Sequence, residues 1–194
     1  DDHLQHLKVV FDILREAKLK LKGSKCQFFL SEVAFLGHIV TSEGIKPDPQ
    51  KIEKILNFKT PSTVKEVQSF LGLASYYRRF IENFSKIAHP LIDLTKKKNE
   101  GTMEWGEEQQ KAFDTLRTRL TTSPILAYPN WDKEFLLFTD ASNYGIGAIL
   151  SQLDDKGHEL VIAYASRHLN ESEMNYSATE KEALAVVFGV KHFK

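Results

Sequence analysis

The segment FLLFTDASNYGIGAIL, Phe135 to Leu150, most constrains what this chain can fold into. An apolar run rich in aromatic residues ends at Asp140, a polar turn follows, and glycines let the backbone return as a second strand. After Leu150 the polar turn QLDDKGHE leads to a third run of this kind, VIAYASR. Three consecutive strands with short connections pair antiparallel, because parallel neighbours need a crossover of about a dozen residues or more. One carboxylate is thereby delivered to the mouth of a turn, a usual presentation of a metal-binding acid. The last segment, NYSATEKEALAVVFGVKHFK, reads as a helix capped near Ser177 or Thr179, with Leu184, Val187 and either Val190 or Phe188 buried. Glu180 and Glu182 fall in its first turns, where a helix packed across the sheet can aim one of them at Asp140.

The upstream half has a different character. Residues 1–100 hold 17 Lys and Arg against 12 Asp and Glu, and residues 101–194 hold 9 against 14, so a neutral chain divides into a basic and an acidic half. That division suits a protein that grips a polyanion with one part and places carboxylates with the other; ordinary surface charge would give the same count. The longest apolar run, Ala183 to Val190, is far shorter than the roughly 18 residues that span a bilayer, and no signal-peptide pattern opens the chain. Cys26 is the single cysteine, which excludes an internal disulfide or cysteine metal cluster and points to a reducing, intracellular setting. No membrane partner is expected.

Taken in order, Leu4, Leu7, Phe11 and Leu14 mark a first amphipathic helix with Gly23 as its stop, and Asp1 and Asp2 sit where acids complement a helix N-terminus. Next, Cys26–Leu30 and Val33–Val40 read as two strands joined at Ser31 and Glu32, with Gly37 interrupting the second as a bulge or a place of close approach and His38 beside it. Asp48 and Pro49 open a helix bearing Ile52, Ile55 and Leu56. Thr63 and Glu66 have the spacing of a capping box for a helix whose apolar face runs from Val64 to Ile81. On that helix Gly72, Ala74 and Ser75 are small, while Tyr76, Arg78 and Arg79 are aromatic or cationic. The combination can track a sugar-phosphate backbone, or it can be a half-buried helix with arginines in solvent. Helix pieces broken near Pro90 lead to the Lys96–Lys98 run and Gly101, read as a linker. A further helix carries Phe113, Leu116 and Leu120 on one face.

The wording and order of KCQFFLSEVAFLGHIVTSEGIKPDPQKI, VKEVQSFLGLASYYRRFIENFS, FTDASNYGIGAIL, IAYASR and NYSATEKEALAVV closely resemble the Pol polyprotein of Gypsy/Ty3-class long-terminal-repeat retroelements along nearly the whole chain. The resemblance implies an α+β architecture. Residues 1–45 would be the end of a reverse transcriptase palm with its primer-grip hairpin, 46–100 a helical thumb, 101–130 a connecting helix and extended segment, and 131–194 the start of a ribonuclease H domain of antiparallel strands and a covering helix. It further implies that Phe35, Leu36, Gly37 and His38 form the primer grip, and that Gly72, Ser75, Tyr76, Arg78 and Arg79 lie on the thumb helix against the duplex. Asp140 and Glu182 would be ribonuclease H acids binding Mg2+ or Mn2+, and Glu180 a helix-terminal acid.

The implied partners are an RNA/DNA hybrid or DNA duplex template-primer, deoxynucleotides for the parent enzyme, and a second copy if the enzyme dimerises. The implied setting is the cytoplasm, a virus-like particle or the nucleus. The tyrosine-x-aspartate-aspartate box of the family polymerase is absent from this sequence, so Asp1 and Asp2 do not inherit its role, and only two of four ribonuclease H acids are expected here. The segment alone is therefore expected to be inactive. Two other readings compete: a domesticated, non-catalytic nucleic-acid-binding or structural subunit, and an actin-like phosphate loop at TDASNYGIGAIL. The latter would need further glycine-rich nucleotide loops, and none follows.

Overall fold

A computed structural model describes residues 2–96 and 103–194, and the chain divides into two compact units, residues 1–31 and 32–194. Asp1 and the tract of Lys97, Lys98 and Gly101 lie outside the described residues. In the first unit, helix α1 (Asp2–Glu16) ends seven residues before Gly23, which instead opens a single 3-10 turn at Gly23–Lys25. Cys26–Leu30 is not a strand. Its Phe28 and Phe29 turn back on the helix, with ring contacts to Phe11 at 6.1 Å and to His3 at 5.1 Å.

The second unit opens with a three-stranded antiparallel sheet: β1 (Glu32–Phe35), β2 (His38–Thr41) and β3 (Ile45–Pro47). The hairpin thus falls later than the sequence suggests. Glu32 pairs with Thr41 and Phe35 with His38, which leaves Leu36 and Gly37 as the turn. Gly37 is no bulge. Leu36 and Gly37 have φ of +46° and +71°, and positive φ at both central residues is what a type I′ hairpin turn requires. The aromatic run at Gln27–Leu30 resembles a strand locally, but its side chains find partners on α1 instead of a neighbouring strand.

Helix α2 (Pro49–Leu56) begins as expected, with the Asp48 carboxylate accepting from the Gln50 N–H and Pro49 in the first turn, and buries Ile52 and Ile55. Helix α3 (Val64–Tyr76) carries the expected capping box between Thr63 and Glu66 and buries Val67, Phe70 and Ala74. It ends at Tyr76, short of Ile81, and a 3-10 turn at Arg78–Phe80 redirects the chain. Helix α4 (Phe84–Leu94) runs through Pro90 without a break. The proline lies in its seventh position, and α4 is held by burial of Phe84, Ala88, Leu91 and Leu94, which outweighs the one lost hydrogen bond. Helix α5 (Glu107–Thr121) packs on α4 through Phe113, Leu116 and Leu120, with Phe70 and Phe113 rings 4.5 Å apart.

The second sheet has the order β4 (Leu136–Ala141), β5 (Gly145–Leu153), β6 (Glu159–His168), all antiparallel as the sequence predicts. An extended segment ties the two sheets together. Leu126 bridges Ile45 of β3, and the Ala127 N–H donates to Val161 O of β6 at 2.8 Å. After the short α6 (Glu171–Met174), helix α7 (Ala178–His192) packs on β4 and β5. Its buried residues are Lys181, Ala185 and Gly189; Val187 and Val190 are exposed, and Leu184 and Phe188 are half-buried. Close approach explains the shift, since a Cβ on Gly189 would stand 3.1 Å from Ala148 Cβ and 3.2 Å from a Leu137 methyl. At its closest approach the helix rests on Gly189 and Ala185, with Leu184 and Phe188 packed partly buried beside them.

Candidate functional site

The acids come first, because the sheet decides where they point. Asp140 pairs with Gly147 across β4 and β5, so the two share a face. A Cβ on Gly147 would meet Asn83 Oδ1 at 2.8 Å, whereas its neighbour Ala148 touches α7. Successive strand residues point to opposite faces, so Asp140 faces the start of α4 and α7 covers the other face. Asp140 is exposed and borders a recess also lined by Glu82, Asn83, Phe138 and Gly147. Glu182, exposed on α7, lines a different recess, with Lys86, Ser142, Asn143, Tyr144 and Lys181. Glu180 serves the helix terminus: its carboxylate accepts from the Ser177 N–H and hydroxyl, both at 2.8 Å, and these bonds hold its pKa below the ordinary value.

Among the described residues no three His, Cys, Asp or Glu side chains are grouped to hold a metal ion. A two-metal site needs carboxylates that hold two ions about 4 Å apart. Asp140 and Glu182 border different recesses and are two of the four acids that the resemblance implies, so the described residues do not complete a two-ion site for Mg2+ or Mn2+.

The basic half forms a second surface around the β1–β2 turn. Phe35 and Leu36 project outward, 61% and 70% exposed. The backbone behind them is tied to α3 and the residue that ends it: Tyr76 donates its hydroxyl to Leu36 O, and Tyr77 donates to Gly37 O at 2.7 Å. Burial and the nearby Asp48 carboxylate push the Tyr77 hydroxyl up to about 12, so it remains a donor at any physiological pH. His38 does not reach outward. Its ring stacks on Tyr76 and on Phe80, each at 5.5 Å, and its Nε2 is buried.

On α3, Gly72 is exposed with nothing within 4 Å of a built Cβ, so a groove-forming ligand can approach its backbone. Ser75 is half-buried beside it, and Arg79 is exposed. Arg78 is committed elsewhere, donating to Ser166 O on β6. Two cations that sequence patterning passed over belong to this surface: Lys51 and Lys54 of α2 line a recess with Gly37, Leu73, Tyr76 and Tyr77. Their spacing of three residues behind a capped helix start was the available signal. Glu82 and Asn83, which border Asp140, carry no such spacing; Asn83 has a left-handed φ of +55° at the start of α4.

The second half of the chain defines a class of protein: residues 105–194 match the RNase H-like domain found in reverse transcriptase. Over its full length the chain is 45% identical to the retrovirus-related Pol polyprotein from transposon 297 of Drosophila melanogaster and 35% identical to the transposon Tf2-3 polyprotein of Schizosaccharomyces pombe, spanning 18% and 14% of those proteins. The resemblance to Gypsy/Ty3-class Pol polyproteins thus holds from end to end. In structure it is similar to the foamy viral protease-reverse transcriptase solved in complex with an RNA/DNA hybrid, with a TM-score of 0.79 and 29% identity over 98% of this chain and 26% of that one. A form of the same foamy viral protein in complex with double-stranded DNA aligns with the same TM-score.

Proposed function

We propose that this chain is the duplex-gripping and ribonuclease H-side part of a retroelement reverse transcriptase, with residues 1–45, 46–100, 101–130 and 131–194 serving as palm end, thumb, connection and ribonuclease H start. The parent enzyme copies RNA and DNA templates into DNA from deoxynucleotides and cleaves the RNA strand of hybrids. The observation that carries this reading is the single outward surface formed by the β1–β2 turn and α3. Exposed Phe35 and Leu36 stand at the turn, Lys51 and Lys54 line a recess with its Gly37 and with Tyr76 of α3, and Gly72 of α3 and Arg79 just after that helix are exposed. Apolar side chains at a strand terminus, a bare helix backbone and flanking cations are what a template-primer duplex needs: shape contact in a groove with charge on the phosphates. Asp140 and Glu182 supply two carboxylates toward hybrid cleavage, and Mg2+ or Mn2+ would require further acids beside them.

The test is a titration of residues 1–194 with a labelled RNA/DNA hybrid and a DNA duplex at several salt concentrations, followed by a cleavage assay with either metal. Binding should weaken steeply with salt, and Arg79→Ala should lower the slope of log affinity against log salt by about one. The segment should cut neither duplex. No binding at low salt would overturn the assignment of the surface, and metal-dependent cleavage would overturn the incompleteness of the acid site.

A further inference from the structure

Leu36 is an unexpected residue for its place. Type I′ turns favour Asn-Gly because both central residues need positive φ, a backbone region in which a leucine is strained. The turn therefore depends on contacts outside itself. Both of its carbonyls are taken by donors from elsewhere, Leu36 O by the Tyr76 hydroxyl and Gly37 O by the Tyr77 hydroxyl at 2.7 Å and the Asp48 N–H at 3.1 Å, while within the hairpin His38 Nδ1 lies 2.8 Å from Leu36 O. The His38 ring is clasped between Tyr76 and Phe80, and a Cβ on Gly37 would stand 3.2–3.3 Å from the two tyrosines.

We propose that Tyr76 and Tyr77 are positioning residues that latch the β1–β2 turn to the end of α3, so that the hairpin tip and the helix present one rigid surface to the duplex. The Tyr76 hydroxyl acts on the protein's own backbone and not on nucleic acid. This inference rests on the duplex-binding reading above, and its test separates the two.

In Tyr76→Phe, Tyr77→Phe and the double variant the rings, and with them the packing, remain. Amide exchange of Asp48, whose N–H donates to Gly37 O, reports opening of the turn. Each hydroxyl removed should speed that exchange roughly fivefold, the worth of one ordinary hydrogen bond. Hybrid affinity should fall by a similar factor with an unchanged salt slope, because no phosphate contact is lost. Leu36→Asn, which tolerates positive φ, should restore the exchange protection in the double variant without restoring a hydroxyl. Tyr76 is half-exposed, so its single variant stays informative if the Tyr77 variant folds poorly. Unchanged Asp48 exchange overturns the latch. Faster exchange with unchanged affinity overturns its role in positioning, and lost affinity with unchanged exchange assigns the hydroxyls to the nucleic acid instead. If the unaltered chain binds no duplex, the functional reading falls while the exchange measurement still decides the latch.

Discussion

At the scale of single residues, the chain's polar groups sort into those that serve the fold and those left to a ligand. Glu66, Glu173 and Glu180 all sit at the third position of capping boxes, and their hydrogen bonds to helix starts or to Arg167 lower their pKa values. His168 is shifted for the opposite reason: burial, with His89 nearby, disfavours its charged form and lowers its pKa from 6.5. The unfolded chain binds a proton at His168 before the folded one does. Its contribution to stability is therefore complete above pH 6.5 and lost as pH falls through the lowered folded value, with the carboxylates adding a second loss only below 4.5. Thermal melts should show a first decline beginning near pH 6.5 that His168→Gln removes. An identical profile in the variant would assign that decline to another group.

Secondary-structure elements repeat the division on a larger scale. Local signals identified α2, α3 and the sheet of β4, β5 and β6 because caps and alternation are short-range patterns. They failed at Cys26–Leu30, whose aromatics pack on α1, and at Pro90, where burial overrides the proline. They also failed along α7, where close approach to the sheet selects Ala185 and Gly189 for the interface and leaves Val187 and Val190 exposed. Gly72 offers a direct measurement of function at this scale. It lies in the interior of α3 with open space around it, so Gly72→Ala should stabilise the chain by about 0.5–1 kcal/mol while weakening hybrid binding, because a methyl keeps the groove off the backbone. Stabilisation without loss of affinity would remove the helix backbone from the proposed interface.

Across residues 32–194, two hydrophobic clusters are joined by specific bonds. One runs through α2 to α5 to Leu126, and the other sits under α7 around Ile146, Leu169 and Ala185. Arg78 donates to Ser166 O, and the buried Ser85 N–H donates to Ser166 Oγ at 3.0 Å, so the helical part and the second sheet share a seam. Near- and far-ultraviolet circular dichroism should therefore record one common unfolding transition for this unit; two separated transitions would show that the seam does not couple the clusters. The sequence by itself determined the α+β class, the antiparallel second sheet, the helix caps and the resemblance to retroelement Pol polyproteins, because each is written in local periodicity or contiguous motifs. Only the tertiary structure decided that Leu36 and Gly37 form the turn, that Tyr76 and Tyr77 hold it, and that Asp140 and Glu182 border different recesses. Those outcomes depend on groups about 40 residues apart meeting in space and on which face of a sheet each helix covers, and no short stretch of sequence encodes either.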